Sequence, residues 1–191
     1  MSGVMARDAE ATRQRLIMAA RHEFATYGIA GARVERIADA ARSNKALIYH
    51  YFGSKDGLFD AVFDAMCLEA FNAGPIDPMN LPEYAGRLFD SYEKRPWLQR
   101  IATWYRLERA GSGDLLPVVL AGYEAKVQVI ADAQAKGILP TQFPPSVLLG
   151  LVTHLASFWS SNVPEYNTFV ADDSTATRRR IVVDAVAALL V

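Results

Sequence analysis

The chain has 191 residues, 51% of them hydrophobic and 21% charged, which is enough to bury a substantial core and too apolar for a disordered protein. Its one cysteine, Cys67, excludes an intrachain disulfide framework and a cysteine-only metal site, and fits a reducing, cytoplasmic setting. The net charge is −1, but residues 1–58 carry +3 and the remainder −4, so a mildly basic front on an acidic body points to an anionic partner near the N-terminus.

The length suits one large domain or two small ones. No apolar run follows a basic start, as it would in a signal peptide. The longest apolar segment, 147–159, is interrupted by Thr153, His154 and Ser157 and falls short of the roughly 20 apolar residues that span a bilayer. It reads as a buried helix, and no membrane partner is expected.

In chain order the pattern is helical throughout, with no hairpin signal. Leu16, Ala20, Phe24 and Tyr27 share one face of a helix over 10–27, and Gly28 supplies its stop. A second helix near 34–41 turns Val34, Ile37, Ala38 and Ala41 inward. A third near 45–52 buries Ile48 and Phe52 and ends at Gly53. Ser54 caps a fourth helix that runs to about 72, with Asp56 in its first turn. The Pro-rich stretch 73–82 separates these four from helices expected near 82–94, 96–110, 114–136, 145–161 and 174–190. The fold expected is therefore all-α, about nine helices: an N-terminal three-helix domain over 1–57 and a larger helical domain over 58–191.

Residues 37–58, IADAARSNKALIYHYFGSKDGL, place two short helices around a tight polar turn, the form of a helix-turn-helix. Asn44 can cap the second helix, whose outer face pairs Lys45 with Tyr49 and Ala46 with His50 at i, i+4. A small residue with donors around it suits a DNA groove. Lys55, opening the fourth helix, can grip a phosphate together with backbone N–H groups.

The run from Arg15 to Phe59 resembles the N-terminal domain of the TetR family of transcriptional regulators. The matching features are the Ala20/Phe24/Gly28 series, Ile37-Ala38 with Ala41, Ile48-Tyr49-x-Tyr51-Phe52, and Ser54-Lys55-Asp56-x-Leu58. The resemblance implies a cytoplasmic homodimer that binds a pseudo-palindromic double-stranded DNA operator, usually repressing, and releases it on binding a small-molecule effector. It places Tyr49 and Lys55 on phosphates and Lys45, Ala46 and His50 at base edges. Lys45 can donate to guanine O6 or N7. Four positions depart from the family pattern: Arg42 where glycine is usual in the turn, Ser43 where a small apolar residue is usual, Leu47 where threonine is common, and Arg33 where Ser or Thr usually caps the second helix. Arg42 carries a steric cost if its φ is positive. Arg33 cannot cap, but both arginines can reach phosphate.

The C-terminal half concentrates aromatic residues. Trp104, Tyr105, Glu108, Tyr123 and His154 are the candidates to line an effector cavity. The helices over 147–159 and 181–191 are apolar nearly all round, so each is buried on all sides or shared between chains. Two copies of the pair would form a four-helix interface through Leu151, Leu155, Val182, Val186 and Leu189. Arg178, Arg179 and Arg180 read as a solvated face. No enzyme is expected: no glutamate has a histidine three residues on, and no phosphate loop or nucleophile elbow occurs. No cofactor or metal is expected either. The remaining alternative is a helical adaptor for protein partners that has lost DNA reading.

Overall fold

The structure, a computed structural model, describes residues 2–72, 74–109, 115–170 and 174–191. Among them are ten α-helices, one short 3-10 turn at Pro78–Asn80 and no strand. The chain divides into two compact units, Met1–Ala70 with Arg100–Val119, and Phe71–Gln99 with Leu120–Val191.

The first unit is built on α1 (Ser2–Gly31), α2 (Val34–Ala40), α3 (Lys45–Phe52) and the greater part of α4 (Lys55–Asn72). The four-residue spacing of Leu16, Ala20 and Phe24 puts one α1 face inward, and all three side chains are fully buried. Ile37, Ile48, Leu58 and Phe59 meet them, each fully buried, with the Phe24 and Phe59 rings edge to face at 5.2 Å. The helix begins well before the expected residue 10. Gly28 does interrupt it as expected, at φ 68° and ψ −178°, but one further helical turn follows before Gly31.

That interruption is held by α6 (Trp97–Arg109). The Arg100 guanidinium donates to the carbonyls of Ala25 at 2.5 Å and Thr26 at 3.3 Å, two acceptors released where the helix breaks. One turn further along α6, Trp104 lies on Gly28 itself, and a Cβ there would stand 2.8 Å from the indole. Positive φ and this contact both require glycine. Tyr105 stacks on Phe63 with ring centroids 3.8 Å apart, and burial pushes its hydroxyl pKa up.

The second unit centres on α5 (Leu81–Lys94), which packs on both α8 (Pro145–Ser161) and α10 (Thr175–Ala188). Leu81, Tyr84, Ala85 and Phe89 form its inner stripe, meeting Leu148, Val152, Val182 and Val186 and, from α7 (Pro117–Ala135), Ile130. The C-terminal arginine run is not a solvated face throughout. Arg179 donates to Glu83 at 2.5 Å and Asp90 at 2.9 Å, and Arg178 pairs with Glu93 at 3.3 Å, so α10 is tied along α5; Arg180 is exposed. Ser174 caps α10 by accepting the Thr177 N–H at 3.2 Å. A short helix unforeseen in the sequence, α9 (Pro164–Asn167), follows α8. The expected helix end at 110 and start at 114 lie outside the described residues.

Replacing Gly28 by alanine is expected to destabilise the chain by about 2–4 kcal/mol, combining left-handed strain with overpacking against Trp104. Urea unfolding followed by tryptophan fluorescence measures this.

Candidate nucleic-acid interface

The turn between α2 and α3 is a Schellman cap. With Ala41 as the last half-helical residue, the Arg42 N–H bonds the Asp39 carbonyl at 3.0 Å and the Ser43 N–H bonds the Ala38 carbonyl at 2.9 Å. This pattern requires a left-handed residue at position 42, and Arg42 adopts φ 51°, the one non-glycine residue at positive φ among those described. The end of α7 makes the same pair of bonds, Gly137 to Gln134 and Ile138 to Ala133, with glycine at φ 69°. Arg42 therefore bears a strain that Gly137 does not, and the Ser43 hydroxyl beside it is buried with no hydrogen-bond partner. Arg42 also borders an open cleft of about 730 Å³ between α1 and α2, together with Arg15, His22, Glu23 and Arg36.

Asn44 caps α3 as expected, its side-chain oxygen accepting the Leu47 N–H at 3.0 Å. Ile48 is fully buried and anchors the helix, which leaves Lys45, Ala46, Tyr49 and His50 exposed side by side. Leu47 is half-buried between these two faces.

Two of the expected DNA-contacting cations are already partnered inside the chain. The Lys45 ammonium lies 3.0 Å from the Glu35 carboxylate on α2. The pair holds the Glu35 carboxyl below, and the Lys45 ammonium above, their ordinary pKa values. The Lys55 ammonium stands 3.4 Å and 3.3 Å from the carbonyls of Ala30 and Ala32, a cation at the negative end of α1. Arg33 is exposed at the N-cap position of α2 and its side chain makes no cap.

A carboxylate of α1 replaces that cap. Glu23, on α1 and only 7% exposed, accepts the Arg33 backbone N–H at 2.9 Å. It also accepts the Arg36 Nε at 2.8 Å and pairs with Nη2 of the same guanidinium. Burial pushes the Glu23 carboxyl pKa up, but the Arg36 bonds and the Arg33 N–H outweigh burial and hold it below the usual value. A lone glutamate ten residues before a helix start offers no local signal of this role.

The five candidates for an effector cavity fall into two groups. Trp104, Tyr105 and Glu108 belong to the first unit, where Trp104 packs on Gly28, Tyr105 on Phe63, and Glu108 is exposed. Tyr123 and His154 belong to the second. Tyr123 is half exposed with its ring edge to face on Phe71. His154 is exposed, its Nδ1 2.8 Å from the Gly150 carbonyl one turn back. Among the interface candidates, Leu151, Leu155 and Leu189 are partly exposed. Val182 and Val186 correct the expectation: at 2% and 0% exposed they pack in this chain's own core with α5, so their surface is already spent.

An all-helical chain with this capped two-helix turn is a helix-turn-helix protein, and comparison with known proteins gives its family. Residues 16–62 match the family described as bacterial regulatory proteins, tetR family, and residues 80–188 match the tetracyclin repressor-like C-terminal domain. The chain is 38% identical over 162 residues to the transcriptional repressor SCO4008 of Streptomyces coelicolor, covering 84% of this chain and 83% of that protein. It is 29% identical to the repressor NicS of Pseudomonas putida, covering 90% and 86% of the two chains. Among solved structures it is similar to SCO4942 of Streptomyces coelicolor, described as a transcriptional regulator, at TM-score 0.83 and 40% identity over 93% of this chain and 97% of that one. The chain belongs to the TetR family of DNA-binding transcriptional regulators. That is a family of regulators and generally not of enzymes. No helix among the described residues is long and apolar enough to cross a membrane.

Three outcomes follow from the turn and from Glu23. Arg42→Gly is expected to stabilise the fold by about 1 kcal/mol by releasing the left-handed penalty, and Asn44→Ala to cost about 1 kcal/mol through the lost cap, both read from urea midpoints. Glu23→Gln is expected to lower the unfolding midpoint at pH 7. Because the folded carboxyl titrates below its ordinary 4.5, the contribution is present above that value and fades as the pH falls through the folded pKa, so wild type and variant converge in acid. A difference that holds constant down to strongly acid pH would exclude the pairing.

Proposed function

We propose that the protein is a one-component transcriptional repressor that binds a pseudo-palindromic operator as a homodimer and releases it when a small molecule binds. DNA reading lies in residues 1–57, and effector binding and dimerisation in 58–191. The observation that carries this reading is the outer face of α3: Lys45, Ala46, Tyr49 and His50 stand exposed on a short helix pinned by buried Ile48, the Asn44 cap and the turn at Arg42. Lys45, Ala46 and His50 meet base edges, and Tyr49, Lys55, Arg33 and Arg42 meet phosphates. The protein acts where its operator lies, in the cytoplasm.

The dimer reading is supported by the faces that α8 and α10 leave unpacked. On α8, Val147, Leu151, His154 and Phe158 recur at steps of four, three and four, and each is partly or fully exposed. On α10, Ile181, Ala185 and Ala188 do the same. Two copies meeting through these stripes would bury an apolar surface that a monomer leaves in water. Val182 and Val186 stay inside each protomer.

The effector reading is supported by the aromatic residues of α6 and α7 and by the match to the family's C-terminal domain. Within the first unit, Arg100 and Trp104 grip the break in α1 from one helix. An effector that displaces α6 near Tyr105 would therefore move α1, and with it the helix-turn-helix packed on α1. Relatives named as repressors support the sign of the response.

Purified protein is expected to enrich a two-fold-symmetric site from sheared genomic fragments, with binding that falls steeply as salt rises. Enrichment of no site at any salt would refute the reading. Leu151→Glu is expected to dissociate the dimer in sedimentation and to weaken operator binding with it, while leaving the fold intact.

A further inference from the structure

We propose that the cleft between α1 and α2 is a small-molecule site in the first unit, built for an organic anion: a carboxylate or phosphate head on a short apolar body. Its occupant draws Arg42 away from DNA. That consequence rests on the DNA-reading role proposed above; the site itself does not.

The cleft encloses about 730 Å³, within the roughly 300–1,000 Å³ usual for small-ligand sites. Its walls are apolar: Met18, 52% exposed, with Ala19 from α1, and Ala40 and Ala41 from the end of α2. Arg15 borders it from α1, and Arg42 from the turn that follows α2. Neither guanidinium meets a carboxylate. Arg15 donates to the Thr12 hydroxyl at 2.9 Å, and the Arg42 side chain has no partner among the described residues. Glu23 is the single carboxylate in the lining, and it is buried and taken by Arg36. His22 adds an exposed imidazole.

Two uncompensated positive charges thus stand over an apolar wall. The wall favours a hydrocarbon body, and planar guanidinium groups favour the paired oxygens of a carboxylate or phosphate. Arg42 supplies a further observation. It holds a left-handed backbone that glycine would adopt without cost, and no contact of its side chain within the chain offsets that strain. A bound anion gives the guanidinium a partner. Because Arg42 also lies beside α3, the anion and the DNA phosphates compete for it, and each weakens the other by the same factor.

The test places a reporter in the cleft. The chain has five methionines, so its methyl groups, labelled with carbon-13, give a simple spectrum in which Met18→Leu assigns the Met18 signal. Hexanoate and hexyl phosphate are titrated into the intact chain. Either anion is expected to move the Met18 signal saturably, with a Kd of roughly 0.1–10 mM, while the signal of exposed Met79 stays in place. Hexanol lacks the charge and acetate the apolar body, and each is expected to bind at least about fivefold more weakly. Arg15→Gln and Arg42→Gly are each expected to weaken the anions about two- to fivefold. Arg42→Gly also relieves the strained turn, so its loss of binding cannot come from unfolding. Saturating hexanoate is expected to weaken binding to the genome-selected duplex about two- to fivefold in the wild type and not in Arg42→Gly. No saturable Met18 shift with either anion, an equal response to hexanol, or a shift that survives both substitutions would overturn the site. A Met18 signal moved by duplex DNA and by neither anion would overturn it too, and assign the cleft to the DNA backbone. Unchanged DNA affinity with the cleft filled would overturn the competition for Arg42. A wild type that binds no duplex at low salt would refute the DNA-reading role, while the methyl titration still decides the site.

Discussion

The pose of α2 and α3 depends on one buried carboxylate. Glu23 is almost wholly removed from water, so its charge must be met inside the protein. The Arg33 N–H and the Arg36 guanidinium meet it, and both belong to the start of α2. One residue of α1 thus satisfies an orphan donor of α2, has its own buried charge neutralised by Arg36, and ties the start of α2 to α1. Arg36 spreads over the Tyr27 ring, 4.4 Å from its centroid, and bonds the Gly31 carbonyl at 3.2 Å, which ties the same guanidinium to the end of α1. α3 follows α2 through a turn with little freedom, so its outer face inherits this placement.

That turn shows how a departure from a family pattern can be absorbed. A Schellman cap needs a left-handed residue and does not need glycine as such. Arginine fulfils the hydrogen-bond pattern at a steric cost, while Gly137 fulfils the same pattern elsewhere without one. Backbone geometry is the same in the two caps, and what differs is a guanidinium displayed beside α3.

Two lysines around the turn are also occupied within the chain. Lys45 rests on Glu35 and Lys55 on the last carbonyls around α1. In the second unit, Val182 and Val186 serve α5 within the chain, and the outer stripes of α8 and α10 stay exposed.

The sequence by itself determined where most of the helices lie, though not α9 or the start of α1, because helical periodicity, caps and stop residues are local. The starts of α3 and α8, the Gly28 break, the Asn44 cap and the exposed set on α3 were all legible at spacings of three to seven residues. The family was legible for the same reason, since its motifs are runs of neighbours. Tertiary structure alone decided which charges meet. Glu23 with Arg36, Glu35 with Lys45 and Arg179 with Glu83 and Asp90 are separated by ten or more residues, and no periodicity relates them. It also decided that Val182 and Val186 face inward, since the largely apolar run 181–191 carries no mark of which side its own chain will cover.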